Sequence, residues 1–257
     1  MLHTIDYDAV ADLYDHYVKA DFDLSFFLKE ARNTKGKVLE LACGTGRVSL
    51  PLLQAGVDLT CVDYSEEMLA GFRQKLERHH LTCSVINMDM SNLSLPNCYD
   101  LIFIPFHSFS EILDSTKRAK TLRGIHGCLT ASGRFICTLQ NPTVRTKSMD
   151  GTLKKLGRFP TETGGALVVS SLLNYEVSSQ TAHGIQLYEL YDKQEALVEK
   201  KQLDVRFHLF TKDEFENLSL STGFRVVELY GEYDHSPFDE ATSPFMIWVL
   251  QRSAASS

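Results

Sequence analysis

The chain has 257 residues, 44% of them hydrophobic, which suffices for a packed core in one domain with an elaboration. A net charge of −7 and the lack of a basic stripe argue against nucleic acid, whose binding rests on neutralising phosphates. No apolar run approaches the ~20 residues of a membrane helix, and MLHTIDYDAV lacks the charged start and apolar stretch of a secretory signal, so a cytoplasmic protein is expected.

Ile5, Ala9, Leu13 and Tyr17 recur at helical spacing and predict an amphipathic helix over 5–18; a second follows over 22–32. The acids Asp6, Asp8, Asp12, Asp15, Asp21, Asp23 and Glu30, against Lys19 and Lys29, form either a solvated face or a mild field favouring cationic or neutral ligands. Lys37–Leu41 is a short apolar strand. The stretch VLELACGTGRV then passes through Gly44 and Gly46 into a helix that Gly56 ends, and Pro51 near its start predicts an irregular first turn. Val57–Val62 is a second strand. Asp63-Tyr64-Ser65 closes it, and Ser65 caps a helix over 66–79 whose positive end suits Glu66 and Glu67. Strands over 82–87 and 100–104, a helix over 116–128 and a strand over 134–139, opened by Gly133, continue the alternation.

This order predicts an α/β, doubly wound parallel sheet with right-handed crossovers. After Thr143 the helices drop out. Leu167–Tyr175, Ile185–Tyr191 and Leu203–Phe210 read as antiparallel strands joined by hairpins near 178–184 and 192–199. Thr211-Lys212-Asp213-Glu214 is a capping-box pattern opening a helix to Ser221, and Phe224–Leu229 and Phe245–Leu250 complete the first sheet. The expected organisation is an N-terminal helical lid and cofactor-binding core over 1–142, an inserted antiparallel cap over 143–210, and the end of the core sheet over 211–257. The six cysteines show no C-x-x-C pair and read as buried free thiols, with no metal site.

In a parallel sheet, ligands bind beyond the carboxyl ends of the strands, where the strand order reverses. Gly44 and Gly46 let the backbone turn sharply and a ligand approach it, and Asp63 at the end of the next strand suits the hydroxyls of a ribose. A dinucleotide fits the turn only with Ser49 standing for the third glycine of G-x-G-x-x-G. Glu40 gives nothing to a pyrophosphate and suits an ammonium group. S-adenosylmethionine offers an ammonium, a ribose and no phosphate. An NAD-dependent oxidoreductase on a related sheet, or a non-catalytic module that binds S-adenosylmethionine, stays as the alternative.

Glu40-Leu41-Ala42-Cys43-Gly44-Thr45-Gly46 resembles the E/D-x-G-x-G-x-G signature of class I S-adenosylmethionine-dependent methyltransferases, with Ala42 at the first glycine. Asp63-Tyr64-Ser65-Glu66-Glu67-Met68-Leu69 resembles that family's ribose-binding turn, and Asn87-Met88-Asp89-Met90 its third-strand turn, whose acid meets the adenine amino group. Phe245–Leu250 resembles its antiparallel seventh strand. With Tyr14-Asp15 in the first helix, the chain looks most like bacterial small-molecule methyltransferases, including those acting on amines of glycine or aminosugars. The resemblance implies a Rossmann-like seven-stranded sheet, S-adenosylmethionine as cofactor, and methyl transfer to a small-molecule acceptor, with nitrogen favoured over oxygen. The protein is expected to be a monomer or homodimer.

The cofactor residues so implied are Glu40, Ala42, Gly44, Gly46, Asp63, Tyr64, Met68, Asp89, Met90 and Phe106. Tyr64 and Met90 either sandwich adenine or pack ordinarily. Met68 also reads as core, and Asp89 as a cap beside Ser91. His107, in Ile104-Pro105-Phe106-His107-Ser108-Phe109 after the fourth strand, is the best candidate base, or else a packed ring. Tyr14 either points its oxygen at the methyl or belongs to the core. Tyr230, Tyr233, Asp234 and His235, on the loop before the last strand, are second-rank candidates for the acceptor pocket.

Overall fold

The structure, a computed structural model, describes residues 5–96 and 98–253. The Ser/Ala run at 254–257 lies outside them.

A 3-10 turn over Tyr7–Val10 leads into helices α1 (Ala11–Tyr17) and α2 (Leu24–Arg32). Strands and helices then alternate: β1 (Lys37–Leu41), α3 (Ser49–Gln54), β2 (Leu59–Asp63), α4 (Glu66–Arg78), β3 (Ser84–Asn87), β4 (Tyr99–Ile104), α5 (Ser115–Cys128) and β5 (Leu129–Gln140). A short helix, α6 (Pro142–Arg145), precedes β6 (Lys154–Pro160), β7 (Ala166–Glu176), β8 (Thr181–Tyr191) and β9 (Leu197–His208). The chain closes with α7 (Lys212–Ser221), β10 (Phe224–Tyr230) and β11 (Phe245–Arg252).

The main sheet has seven strands in the order β10-β11-β5-β4-β1-β2-β3, and β11 runs antiparallel to both neighbours, as expected. Its inner strands are covered on both faces. Leu39, Ile102, Ile104 and Trp248 pack toward α5 and α7, whereas Val38, Leu101 and Phe103 pack toward α2, α3 and α4 through Phe26, Phe27, Leu52 and Phe72. The order reverses between β1 and β4, so the turns after these two strands open at one place.

The second sheet, β6-β7-β8-β9, is antiparallel throughout. Ile5, Val10 and Leu13 pack on its Leu167, Val169, Tyr188 and Leu203, so the N-terminal segment lies against that sheet rather than free. Three local details differ from expectation. The first helix is divided, with the 3-10 turn ahead of α1. Strand β6 was not legible, because Gly157, Pro160 and two lysines weaken a strand pattern and are tolerated at a sheet edge. The capping box is half formed. Thr211 Oγ1 accepts from Glu214 N at 3.2 Å, but the Glu214 carboxylate turns to His208 Nε2 at 2.8 Å. Ser65 caps α4 as expected, accepting from Met68 N at 3.1 Å, and the irregular turn ahead of Pro51 delays α3 to Ser49.

Candidate active site

The turn after β1 depends on left-handed backbone. Ala42, Gly44 and Gly46 have φ of 58°, 54° and 83°. Ala42 thus occupies a conformation that glycine adopts without cost and alanine does not. A Cβ at Gly44 meets nothing, which leaves that backbone open to a ligand, but a Cβ at Gly46 would overlap the buried Phe72 ring. Gly46→Ala is therefore expected to destabilise the protein by about 3 kcal/mol, from left-handed strain plus overpacking. A denaturant midpoint unchanged from wild type would contradict this.

Asp63, at the end of β2, faces this turn. Its Oδ2 accepts from Gly44 N at 2.7 Å and its Oδ1 from Ser65 N at 2.9 Å. From β3, Asn87 Nδ2 donates to Tyr64 O at 2.9 Å and steadies the same turn. Burial raises the Asp63 carboxyl, against the pull of these backbone donors. Glu40, 1% exposed, accepts from Ser49 Oγ at 2.6 Å, and burial pushes it up to about 8. Arg47 lies close enough to oppose that rise, but its guanidinium is gripped by Asp23 at 2.6 and 2.7 Å. Glu40 has no ion pair among the described residues.

After β4, Phe106 and His107 both take positive φ, 55° and 68°, and Ser108 N donates to Pro105 O at 3.3 Å. This is a type I′ turn, which normally holds Asn or Gly, built from two bulky rings. Such strain persists only where packing over-determines it. Phe106 stacks on Phe22, and His107 on Phe245 at 5.4 Å and 17°. Burial, with Arg145 second, lowers His107 to about 3, so the ring is neutral at neutral pH and a weak proton acceptor.

The two turns open into one cavity of about 800 Å³. Glu40, Ala42, Gly44, Asp63, Tyr64, Met68, Met90, Phe106, His107 and Tyr14 all line it. Gly46 and Asp89 do not. Gly46 packs on Phe72, and Asp89 caps the next turn by accepting from Ser91 N at 2.8 Å. Tyr230, Tyr233, Asp234 and His235 also stay off the cavity; Tyr233 packs on Phe26 and Phe245, and His235 meets Glu30 at 3.1 Å. The far wall comes from the second sheet through Phe159, Leu173, Val205 and Phe207.

Sequence reasoning missed Glu111 and Arg145 on this cavity. Glu111 ends a 3-10 turn (Ser108–Glu111), and its Oε1 accepts from Tyr7 Oη at 2.9 Å. Arg145 meets Gln140 Oε1 and Ser148 Oγ, at 3.1 and 2.7 Å. The acidic N-terminal residues are anchors more than a solvated face. Asp15 accepts from Thr45 Oγ1 at 2.6 Å and pairs with Lys75 at 2.5 Å, Asp8 accepts from Ser65 Oγ, and Asp12 pairs with Lys201 at 2.9 Å. They tie the segment that carries Tyr7 and Tyr14 to the glycine turn on one side and to β9 on the other.

A seven-stranded sheet with an antiparallel edge hairpin, a glycine turn at its switch point and a ribose-type acid on the next strand define a Rossmann-like methyltransferase fold. Residues 38–133, from β1 into β5, match the methyltransferase domain family. A glycine/sarcosine N-methyltransferase of Halorhodospira halochloris is 32% identical over 133 residues, 51% of this chain and 50% of that protein. The chain spans about half the length of the curated relatives it matches. Two solved structures share the fold. The CcbJ methyltransferase of Streptomyces caelestis has a TM-score of 0.81 at 21% identity, over 96% of this chain and 97% of that one. The sugar N-methyltransferase KedS8 of Streptoalloteichus sp ATCC 53650 has 0.75 at 19% identity, over 95% and 92%. Over residues 38–133 the chain carries a methyltransferase domain, set in a fold shared with solved methyltransferases. Of the two ligand classes that the glycine turn admits, the match to a methyltransferase domain favours S-adenosylmethionine.

Proposed function

We propose that the protein transfers the methyl group of S-adenosylmethionine to a nitrogen of a small-molecule amine. The observation that carries this reading is the chemistry of the cavity wall. An alcohol ionises far above neutrality and needs a strong base before it can attack. His107 is held at about 3, burial raises the Tyr14 phenol so that it stays protonated, and Glu111, pushed up to about 8, is still far too weak a base for an alcohol. An amine needs far less help, because its nitrogen carries a lone pair once a single proton has gone. The names of the relatives, a glycine/sarcosine and a sugar N-methyltransferase, favour the same element.

In this reading Glu40 meets the methionyl ammonium and Asp63 the ribose hydroxyls. Tyr64 and Met90 flank the adenine, and the bare backbone at Gly44 permits close approach. The cofactor supplies a methyl group on a sulfonium, which departs as a neutral thioether. The chain's own contribution is alignment, worth up to roughly 7–11 kcal/mol at the extreme, and exclusion of water by the tyrosine-bearing segment and the second sheet. His107 serves as a wall. His107→Phe keeps a ring for Phe245 and is expected to change turnover by less than about tenfold and leave the pH profile in place. A general base would cost about 10²–10⁴-fold.

The reading is tested by calorimetry with S-adenosylmethionine and with NAD, followed by release of S-adenosylhomocysteine on amine and alcohol acceptors. Turnover of alcohols alone overturns the choice of nitrogen. Cofactor binding without turnover on any acceptor overturns the enzyme.

A further inference from the structure

We propose that Glu111, steadied by Tyr7, receives the acceptor: its carboxylate holds the amine nitrogen and takes the proton that must leave before that nitrogen attacks. The inference rests on the amine reading above and assigns the residue that enforces it.

Three observations converge on Glu111. It lies one turn beyond the strained Phe106–His107 pair, on the cavity that Glu40 and Asp63 also line. Its Oε1 is bound by a phenol from a segment 104 residues away, so the carboxylate is positioned by tertiary structure and not by its own helix. Among the described residues, the groups facing it include Tyr7 from the N-terminal turn, Tyr14 from α1, and Asp63 and Tyr64 from the end of β2. Arg118 of α5 donates its Nε to Ile112 O at 2.6 Å, beside Glu111, and turns its guanidinium toward Glu214 at 3.5 Å. Burial, opposed by the Tyr7 hydrogen bond, pushes Glu111 up to about 8. With no cation beside it Glu111 therefore holds its proton near neutrality, and a cation brought next to it favours the carboxylate.

The cofactor carries two positive groups. Glu40 already accounts for the ammonium. The sulfonium loses its charge during transfer, so an acid beside it would stabilise the ground state more than the transition state. The attacking nitrogen gains charge, and the carbonyl oxygen of the Glu111 carboxyl, which by then carries the proton, accepts a hydrogen bond from a remaining N–H that strengthens as that charge develops. The step balances. One N–H bond of the acceptor ammonium breaks, its electron pair stays on nitrogen, and the proton forms an O–H bond on Glu111. That pair makes the new N–C bond while the C–S pair stays on sulfur.

The test is calorimetry on the protein saturated with S-adenosylhomocysteine, with a panel of primary and secondary amines, each beside its hydroxyl counterpart. At least one amine is expected to bind about ten- to a hundredfold more tightly than its alcohol, as a charge-assisted hydrogen bond allows. In Glu111→Gln that preference should vanish, with affinities for S-adenosylmethionine and S-adenosylhomocysteine kept within about threefold. For an amine that turns over, kcat/KM should fall along a one-proton limb as pH drops, and Glu111→Gln should lose the limb. Tyr7→Phe removes a hydrogen bond that lowers Glu111, so the limb should move to higher pH. This second variant keeps the test open if Glu111→Gln folds poorly. No amine preference in the wild type overturns the proposal, as does a preference surviving in Glu111→Gln. Loss of S-adenosylmethionine but not S-adenosylhomocysteine binding in that variant would assign Glu111 to the sulfonium and overturn it too. A wild type that binds neither nucleoside removes the parent reading as well, which separates the two failures.

Discussion

Thermal melting of the cofactor-free protein is expected to show a midpoint that falls from about pH 6.5 to pH 8, and less steeply from about pH 5 to 6.5, where His107, lowered to about 3 by burial, acts in the opposite sense. Burial holds Glu40 and Glu111 each at about 8 in the folded protein. In the unfolded chain both ionise near ~4.3. Between those values the unfolded state binds fewer protons than the folded one, so stability falls as pH rises. The contribution is complete below the unfolded value and gone once pH passes the folded one. At about 1.4 kcal/mol per pKa unit the ceiling is roughly 4–5 kcal/mol for each acid, or on the order of 10 °C in midpoint. S-adenosylmethionine brings an ammonium to Glu40 and should raise the midpoint more at pH 8 than at pH 5. Mass action alone would raise it without that pH dependence. Glu40→Gln should flatten the profile and melt higher than wild type at pH 8 while binding the cofactor poorly. A wild-type midpoint that is level between about pH 6.5 and pH 8, above the range in which His107 contributes, would show that neither acid is held neutral.

Most of the main sheet was legible because its signals are local. Val38, Leu39 and Leu41, then Leu101 to Ile104, are unbroken apolar runs, and Ser65 and Gly56 mark where neighbouring helices begin and end. The cavity-lining residues at the ends of the first two strands were legible for the same reason. Glu40, Gly44 and Asp63 lie at strand ends whose place in the sheet follows from order alone.

What escaped depends on contacts distant in sequence. Glu111 reads as an ordinary surface acid in Ser-Phe-Ser-Glu, and only Tyr7 arriving from the other end of the chain makes it a cavity group. Asp23 read as one of a run of exposed acids, yet it is fully buried because Arg47, behind the glycine turn, reaches it. His107 was legible as a cavity residue but not as a weak acceptor. That follows from burial and from Arg145 across the fold. The part of the cavity away from the glycine turn was thus the least readable. It is assembled from the N-terminal segment, the turn after β4 and the second sheet, with no single stretch carrying its pattern.

Asp63→Ala should cost both structure and binding, and the two costs are separable. The side chain satisfies two backbone donors, Gly44 N at 2.7 Å and Ser65 N at 2.9 Å, in a site where Asp63 is buried. Truncation strands both, at about 1–3 kcal/mol each. It also removes the acceptor proposed for the ribose hydroxyls, where charge-assisted hydrogen bonds contribute about 1.5–3 kcal/mol apiece. Affinity for S-adenosylmethionine is therefore expected to fall by about 10²–10³-fold. Asp63→Asn divides the effect. Its oxygen can still accept from one of the two donors, which recovers part of the stability. Its amide nitrogen faces the other donor and adds no charge for the ribose, so affinity stays low. Calorimetry with S-adenosylhomocysteine, which keeps the ribose and lacks the sulfonium, should show the same loss in both variants, because this contact does not involve the sulfur. Asp63→Ala that binds either nucleoside within about threefold of wild type would mean that the ribose is held elsewhere and that Asp63 serves only to shape the glycine turn.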